Sequence, residues 1–237
     1  MRFCIRWKRM PLGGGPVRRS EPKMGKGAPR SLLRDGDRVV CLGDSLTADP
    51  EGYVTMAREV LRLARPDERI AVINAGADGN TAHDMLARFE RDVTPRKPTW
   101  VTISAGLNDA ALGLPLADYR EAMQGLIEAA GAAGAQVGLC TTTGFEDEWL
   151  PGIVARGNAL LEEYNAWLEE VAGERGLLLI PMHEMFRRAR EGADEEFRLT
   201  HDGAHMGPTG RCLMGLTFLA AFGVSLPTEL DEGRWSP

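Results

Sequence analysis

Val39-Val40-Cys41-Leu42-Gly43-Asp44-Ser45-Leu46 is the stretch on which the reading of this chain turns. Four apolar residues in a row suit a short strand covered on both faces. The Gly43-Asp44 pair then breaks the run and leaves Ser45 in a tight turn at the strand's end. A serine held there is well placed to be presented as a nucleophile, provided a neighbouring base accepts its proton. The plain alternative is that Ser45 caps a helix, since serine is a favoured N-cap residue.

Working outward, short apolar runs recur at 38–42, 69–74, 99–104, 135–141 and 176–180, each rich in Val, Ile or Leu. Between them lie amphipathic stretches at 53–64, 81–92, 117–131, 156–173 and 208–222. Met85, Phe89 and Val93 recur at spacing four, and Tyr164, Trp167, Leu168 and Val171 share a helical face. Pro208 stands at a first-turn position, where its missing N–H costs nothing. This alternation predicts a parallel sheet sandwiched between helices, with right-handed crossovers. Ligands of such sheets collect beyond the carboxyl ends of the strands. Ser45, Gly79 and Asn108 follow strands one, two and three, and Asp202 and His205 precede the last helix.

These residues form a chemically sensible set. In Leu199-Thr200-His201-Asp202-Gly203-Ala204-His205-Met206, Asp202 is spaced to orient His205 as a general base. His201 competes for that role but precedes the aspartate, and His83 and His183 read as surface or capping residues on helices. Gly79 lies ahead of a helix that Thr81 and Asp84 would close with a capping box, so its N–H is a candidate oxyanion donor. Gly76 is an equal candidate for the turn glycine. Asn108 offers a side-chain NH₂ for the same oxyanion, or else closes an Asx turn. Asp44 and Asp109 read as turn-fixing carboxylates. Asp44 is also carried as a candidate substrate contact, together with Trp149 in the 144–151 connection.

Composition narrows the function. The chain has 237 residues, 43% hydrophobic and 26% charged, with a net charge of −6. Residues 1–34 hold ten basic residues and Glu21 as their one acid, so 18 basic and 33 acidic residues lie from Asp35 onward. An acidic body disfavours nucleic acid and anionic membranes as partners. The basic segment is punctuated by Gly and Pro and develops no apolar face, so disorder is expected over 1–34. One domain is expected over 35–226, with a tail over 227–237. No secretory apolar stretch or membrane span is visible, and cytoplasmic residence is the expectation. Cys4, Cys41, Cys140 and Cys212 lack metal or disulfide spacing, and free buried thiols are expected. No metal or other cofactor is expected. The chain carries no Gly-x-Ser-x-Gly elbow, Walker loop, dinucleotide fingerprint or His-Glu-x-x-His.

Gly43-Asp44-Ser45-Leu46, Gly79-Asn80-Thr81, Gly106-Leu107-Asn108-Asp109 and Asp202-Gly203-Ala204-His205, in that order, resemble the four blocks of the GDSL, or SGNH, hydrolases over about residues 37–222. The resemblance implies a flavodoxin-like three-layer α/β/α sandwich with a five-stranded parallel sheet, and metal-free serine esterase chemistry. It implies Ser45 as nucleophile, His205 as base and Asp202 as its orienter. The oxyanion hole it implies is made by the N–H groups of Ser45 and Gly79 and the Asn108 side chain. Gly79-Asn80-Thr81 and His205-Met206 resemble the branch that deacetylates sugars. The expected activity is hydrolysis of short acyl esters of small molecules, O-acetyl groups on carbohydrate foremost. A longer-chain lysophospholipase or thioesterase and a catalytically silent binding module are the alternatives.

Overall fold

The computed structural model describes residues 31–146, 152–191, 193–194 and 197–224. Most of the basic N-terminal segment, Trp149 and the 227–237 tail lie outside them. Five strands form one sheet: β1 (Arg38–Gly43), β2 (Ala71–Gly76), β3 (Trp100–Ser104), β4 (Gln136–Cys140) and β5 (Leu178–Ile180). All neighbours pair in parallel, in the order β2-β1-β3-β4-β5. All five strands expected from the apolar runs are present. This is a doubly wound α/β sheet, and its strand order reverses between β1 and β3.

The helices are α1 (Ser45–Ala48), α2 (Tyr53–Ala64), α3 (Ala82–Ala87), α4 (Phe89–Asp92), α5 (Leu107–Leu112), α6 (Leu116–Ala132), α7 (Val154–Arg175), α8 (Met182–Arg190) and α9 (Pro208–Ala221). Helix α2 packs against α9, and α9 against α8, forming one layer. Helix α3 packs against α6, and α6 against α7, forming the other. Sandwiched between them, Val39, Val40, Cys41 and Leu42 of β1 are completely buried. Tyr119 and Tyr164 stack with ring centroids 4.1 Å apart and fasten α6 to α7. Among the described residues, no helix is long and apolar enough to cross a membrane.

Three short helices go beyond the amphipathic stretches: α1, α5 and α8. The stretch expected as one helix over 81–92 divides at Arg88, whose φ of −104° and ψ of 3° end α3 and begin α4. Met85, Phe89 and Val93 are buried nonetheless, as their spacing requires. One expectation fails: Cys212 is exposed on α9, whereas Cys41 and Cys140 are buried. The apolar face of α9 is carried by Met214, Phe218 and Leu219, and Cys212 lies off it.

Register is what matters for function. Gly43 pairs with Gly76 of β2 and with Ser104 of β3, so three adjacent strands end at one level. The segments bearing Ser45, Gly79 and Asn108 therefore leave the sheet side by side, at the edge where strand order reverses.

Candidate active site

Asp44, not Ser45, caps α1. Its carboxylate accepts the Leu46 N–H at 3.0 Å, and its carbonyl accepts those of Thr47 and Ala48. Ser45 is the first helical residue, so its N–H is one of the amides that a helix leaves without an internal partner. The capping alternative for Ser45 is thereby removed. Asp44 is only 2% exposed and supports the turn from beneath rather than lining the cavity above. Burial pushes its carboxyl up to about 7, against the opposing Leu46 N–H, and Asp109 adds to the rise.

The two candidate glycines have different tasks. A Cβ on Gly76 would sit 2.2 Å from the Ala48 nitrogen, so Gly76 is where α1 settles on the end of β2. Gly79 has φ +71°, a conformation that favours glycine, and open space where its Cβ would be. It lines the cavity. The expected capping box follows: Thr81 accepts from the Asp84 N–H, and Asp84 accepts from the Thr81 N–H. Asp109 is buried and takes the Ala82 N–H at 3.1 and 3.2 Å through its two oxygens, fixing this helix start to α5. Burial raises the Asp109 carboxyl to about 6.

Asn108 does not close a local turn. Its Nδ2 donates to the Asn80 carbonyl at 3.0 Å, and Asn108 lines the cavity.

Arg88 joins these parts, a role that sequence reasoning missed. Its guanidinium is largely buried and donates to the Gly43 carbonyl at 2.9 Å, the Ala75 carbonyl at 2.9 Å and Asn80 Oδ1 at 2.6 Å. Asp92 balances its charge at 3.1 Å. One side chain thus ties the strand end before Ser45 to the loop after Gly79, and Asn80 relays that tie to Asn108. The signal in the sequence was an arginine three residues after Met85, beside the apolar stripe of the helix.

His205 lies in a closed loop. Thr200 bridges Met206, and the His201 N–H donates to the His205 carbonyl at 2.9 Å. Asp202 Oδ1 accepts the N–H groups of Ala204 and His205, and its Oδ2 lies 2.7 Å from His205 Nδ1. Burial opposes ionisation of Asp202, but the His205 ring and these amides hold it down at about 2. Glu146, also missed, anchors the loop from outside. It accepts from the Thr200 N–H and hydroxyl, pairs with Arg190 at 2.9 Å, and its own N–H donates to the Gly203 carbonyl. Burial alone would raise its carboxyl, but Thr200 and Arg190 outweigh that and lower it.

Ser45, Gly79, Asn108 and His205 line one cavity of about 580 Å³. Leu46, Pro50, Leu107, Ala111, Phe145 and Met206 supply its apolar walls, and Asp49, Asp78, His201 and Arg211 its polar ones. Arg211 of α9 reaches Asp49 at 2.7 Å. His183 lies elsewhere, its Nδ1 2.5 Å from Asn165 Nδ2, and His83 is exposed on α3. A serine hydroxyl, an imidazole oriented by a carboxylate, and N–H donors around a shared space are the parts that acyl transfer requires.

Comparison with known proteins agrees with this chemistry. Residues 41–211 match the family model for the GDSL-like Lipase/Acylhydrolase family. An acetylxylan esterase of Geobacillus stearothermophilus is 37% identical over 32% of this chain and 42% of its own length. Thioesterase 1/protease 1/lysophospholipase L1 of Escherichia coli strain K12 is 27% identical over 42% of this chain and 48% of its own. The matched stretches span less than half of either relative. Among solved structures, LAE5, an alpha/beta hydrolase enzyme from the metagenome of Lake Arreo, Spain, superimposes with a TM-score of 0.71. It shares 25% identity, covering 82% of this chain and 98% of that one.

Proposed function

The chain belongs to the GDSL-like lipase/acylhydrolase family, and from that premise we propose that it hydrolyses carboxylic esters of small molecules with short acyl groups, O-acetyl groups on carbohydrate foremost. Ser45 Oγ attacks the ester carbonyl while His205 takes its proton. Asp202, bonded to Nδ1, leaves Nε2 for that task and stabilises the imidazolium. The tetrahedral oxyanion is met by the N–H groups of Ser45 and Gly79 and by Asn108 Nδ2. His205 returns the proton to the departing alcohol. Water, activated by the same imidazole, then cleaves the acyl-enzyme.

The observation that carries this reading is the 2.7 Å contact of Asp202 with His205, in a loop whose histidine shares a cavity wall with Ser45. Support for a polyhydroxylated alcohol comes from the polar wall of Asp49, Asp78 and Arg211, since hydroxyl groups need donors and acceptors in place of lost water. The Escherichia coli relative, named as a thioesterase and lysophospholipase, is the observation favouring longer acyl chains.

A series of p-nitrophenyl esters from two to twelve carbons, with acetylated xylo-oligosaccharides alongside, tests the proposal. A peak of kcat/KM at acetate, with release of acetate from the oligosaccharides, is expected. A peak at eight carbons or more would replace it with the longer-chain reading.

A further inference from the structure

The loop that supplies the base also carries an imidazole which the esterase chemistry leaves unused. His201 lines the cavity, and its Nε2 lies 3.7 Å from Asp202 Oδ2. Its ring lies 6.0 Å from that of His205, centroid to centroid, and is inclined to it by 26°. With His205 Nδ1 at 2.7 Å from the same carboxylate oxygen, one ligand atom from each residue falls within 4.8 Å of the others. Among the described residues, this is the cluster of His, Cys, Asp and Glu close enough to share a metal ion.

From this geometry we infer a transition-metal site, selective for Zn²⁺ over hard cations, made by His201, Asp202 and His205, whose occupation switches the esterase off. Two ligands about 2.0–2.1 Å from a tetrahedral zinc lie roughly 3.3–3.4 Å apart. The 2.7 and 3.7 Å separations lie on either side of that figure, and the two imidazole nitrogens, within 4.8 Å of each other, close the rest by rotation of the exposed His201 side chain, a movement of up to about 1.4 Å. The loop is already closed by the bridge between Thr200 and Met206 and held from outside by Glu146, so little chain entropy opposes binding. His201 is exposed, which gives an ion a way in, and both imidazoles line the cavity, from which water reaches them. Two imidazoles with one carboxylate suit zinc, whereas Mg²⁺ and Ca²⁺ require sets of oxygen ligands.

Binding is a proton exchange with no redox step. The proton on His205 Nδ1 that now bridges to Asp202 is released to solvent, and the metal takes its place between nitrogen and carboxylate oxygen. Asp202 then no longer orients the imidazole as a base, and His205 is held in the loop as a ligand. Inhibition as the outcome rests on the function proposed above; metal binding does not.

The test has two readouts on the full chain. Calorimetry with ZnCl₂ in a non-chelating buffer reads binding directly, and CoCl₂ reports tetrahedral geometry through its visible absorption. p-Nitrophenyl acetate hydrolysis, with and without Zn²⁺, reads the consequence. Wild type is expected to bind one Zn²⁺ with proton release, to lose activity in step with occupancy, and to recover it with EDTA. His201→Gln keeps a polar side chain on the cavity wall that His201 lines, and its zinc inhibition is read against its own metal-free rate. Its Zn²⁺ affinity falls at least about tenfold, given that even residues supporting a metal ligand are worth 10–100-fold. Mg²⁺ at the same concentrations binds neither protein. Zinc affinity unchanged in His201→Gln, or no zinc binding by wild type, would overturn the inference. A wild type that binds zinc through His201 but hydrolyses no ester would leave the metal site standing and overturn the proposed function instead.

Discussion

Arg88→Met removes the guanidinium that joins the strand end before Ser45 to the loop after Gly79. Three donors are lost, to Gly43 O, Ala75 O and Asn80 Oδ1, and Asp92 loses one of its cationic partners. Leaving these acceptors without their charged donor costs about 3–5 kcal/mol. For a chain of this size that corresponds to a fall in Tm of roughly 6–20 °C. The catalytic consequence is separate. Arg88 does not line the cavity, so KM for p-nitrophenyl acetate should change little. The proposed oxyanion donors on Gly79 and Asn108 lose their common anchor, and a displacement of about 1 Å typically costs on the order of 10² in rate. The expected signature is therefore a kcat about a hundredfold down at nearly constant KM, measured well below the variant's Tm. A boronic acid inhibitor, whose tetrahedral adduct needs the same donors, should lose affinity in proportion. Arg88→Lys keeps the charge without the fork and should regain stability more than kcat. Asp92→Asn keeps the guanidinium and should leave kcat near wild type. A folded Arg88→Met enzyme with kcat within twofold of wild type would refute the reasoning, as would a defect confined to KM.

Three further expectations follow from the same geometry. Gly76→Ala places a Cβ against the backbone of Ala48 and must push α1 and Ser45 aside, whereas Gly79→Ala meets open space and costs only about 1–2 kcal/mol of left-handed strain; equal losses of Tm in the two would show that the close packing of α1 on β2 is unimportant. Asp202→Asn should reduce kcat by about 10⁴ while circular dichroism stays native, by loss of the tautomer and charge that the base requires; a loss under tenfold would remove Asp202 from the mechanism. Burial raises the Asp44 carboxyl from 3.8 to about 7 in the folded chain, Asp109 adding to the rise and His205 opposing it. Between those values the unfolded chain gives up a proton that the folded one keeps, so this group lowers stability as pH rises from about 4 to 7. Asp44→Asn keeps an oxygen for the Leu46 N–H but does not titrate, and should gain Tm relative to wild type across that interval; a pH-independent difference would contradict the assignment.

The fold was legible because each strand is a short apolar run and each long helix has one apolar face. The five runs became β1 to β5, with ends shifted by a residue or two, β2 to β5 starting later than the apolar runs do. Helices α1, α5 and α8 were not legible. Two are a turn or two long, too short for a helical period to show: Asp44 caps α1 locally, and α5 starts at Gly106, whose φ of 128° favours glycine. In the site, Ser45, Gly79, Asn108 and His205 come to one cavity, as the places of the first three after strands and of His205 before the last helix suggested. Gly76 and Gly79 could not be told apart without seeing which one α1 rests upon. Arg88 and Glu146 escaped because a lone charged residue in a helix or loop reads as solvated, and their burial depends on partners 45 and 54 residues away. His201 was weighed as a rival base, but its nearness to Asp202 is a property of the closed loop and not of the spacing.

The central claim is that Ser45 is an activated nucleophile. The most direct measurement is treatment of wild type, Ser45→Ala and His205→Gln with a fluorophosphonate, followed by peptide mass spectrometry, with p-nitrophenyl acetate hydrolysis in parallel. The account predicts one adduct per wild-type chain, on Ser45, formed far more slowly without the imidazole, and neither label nor hydrolysis in Ser45→Ala. Undiminished hydrolysis by Ser45→Ala, or an adduct on another residue, would contradict it.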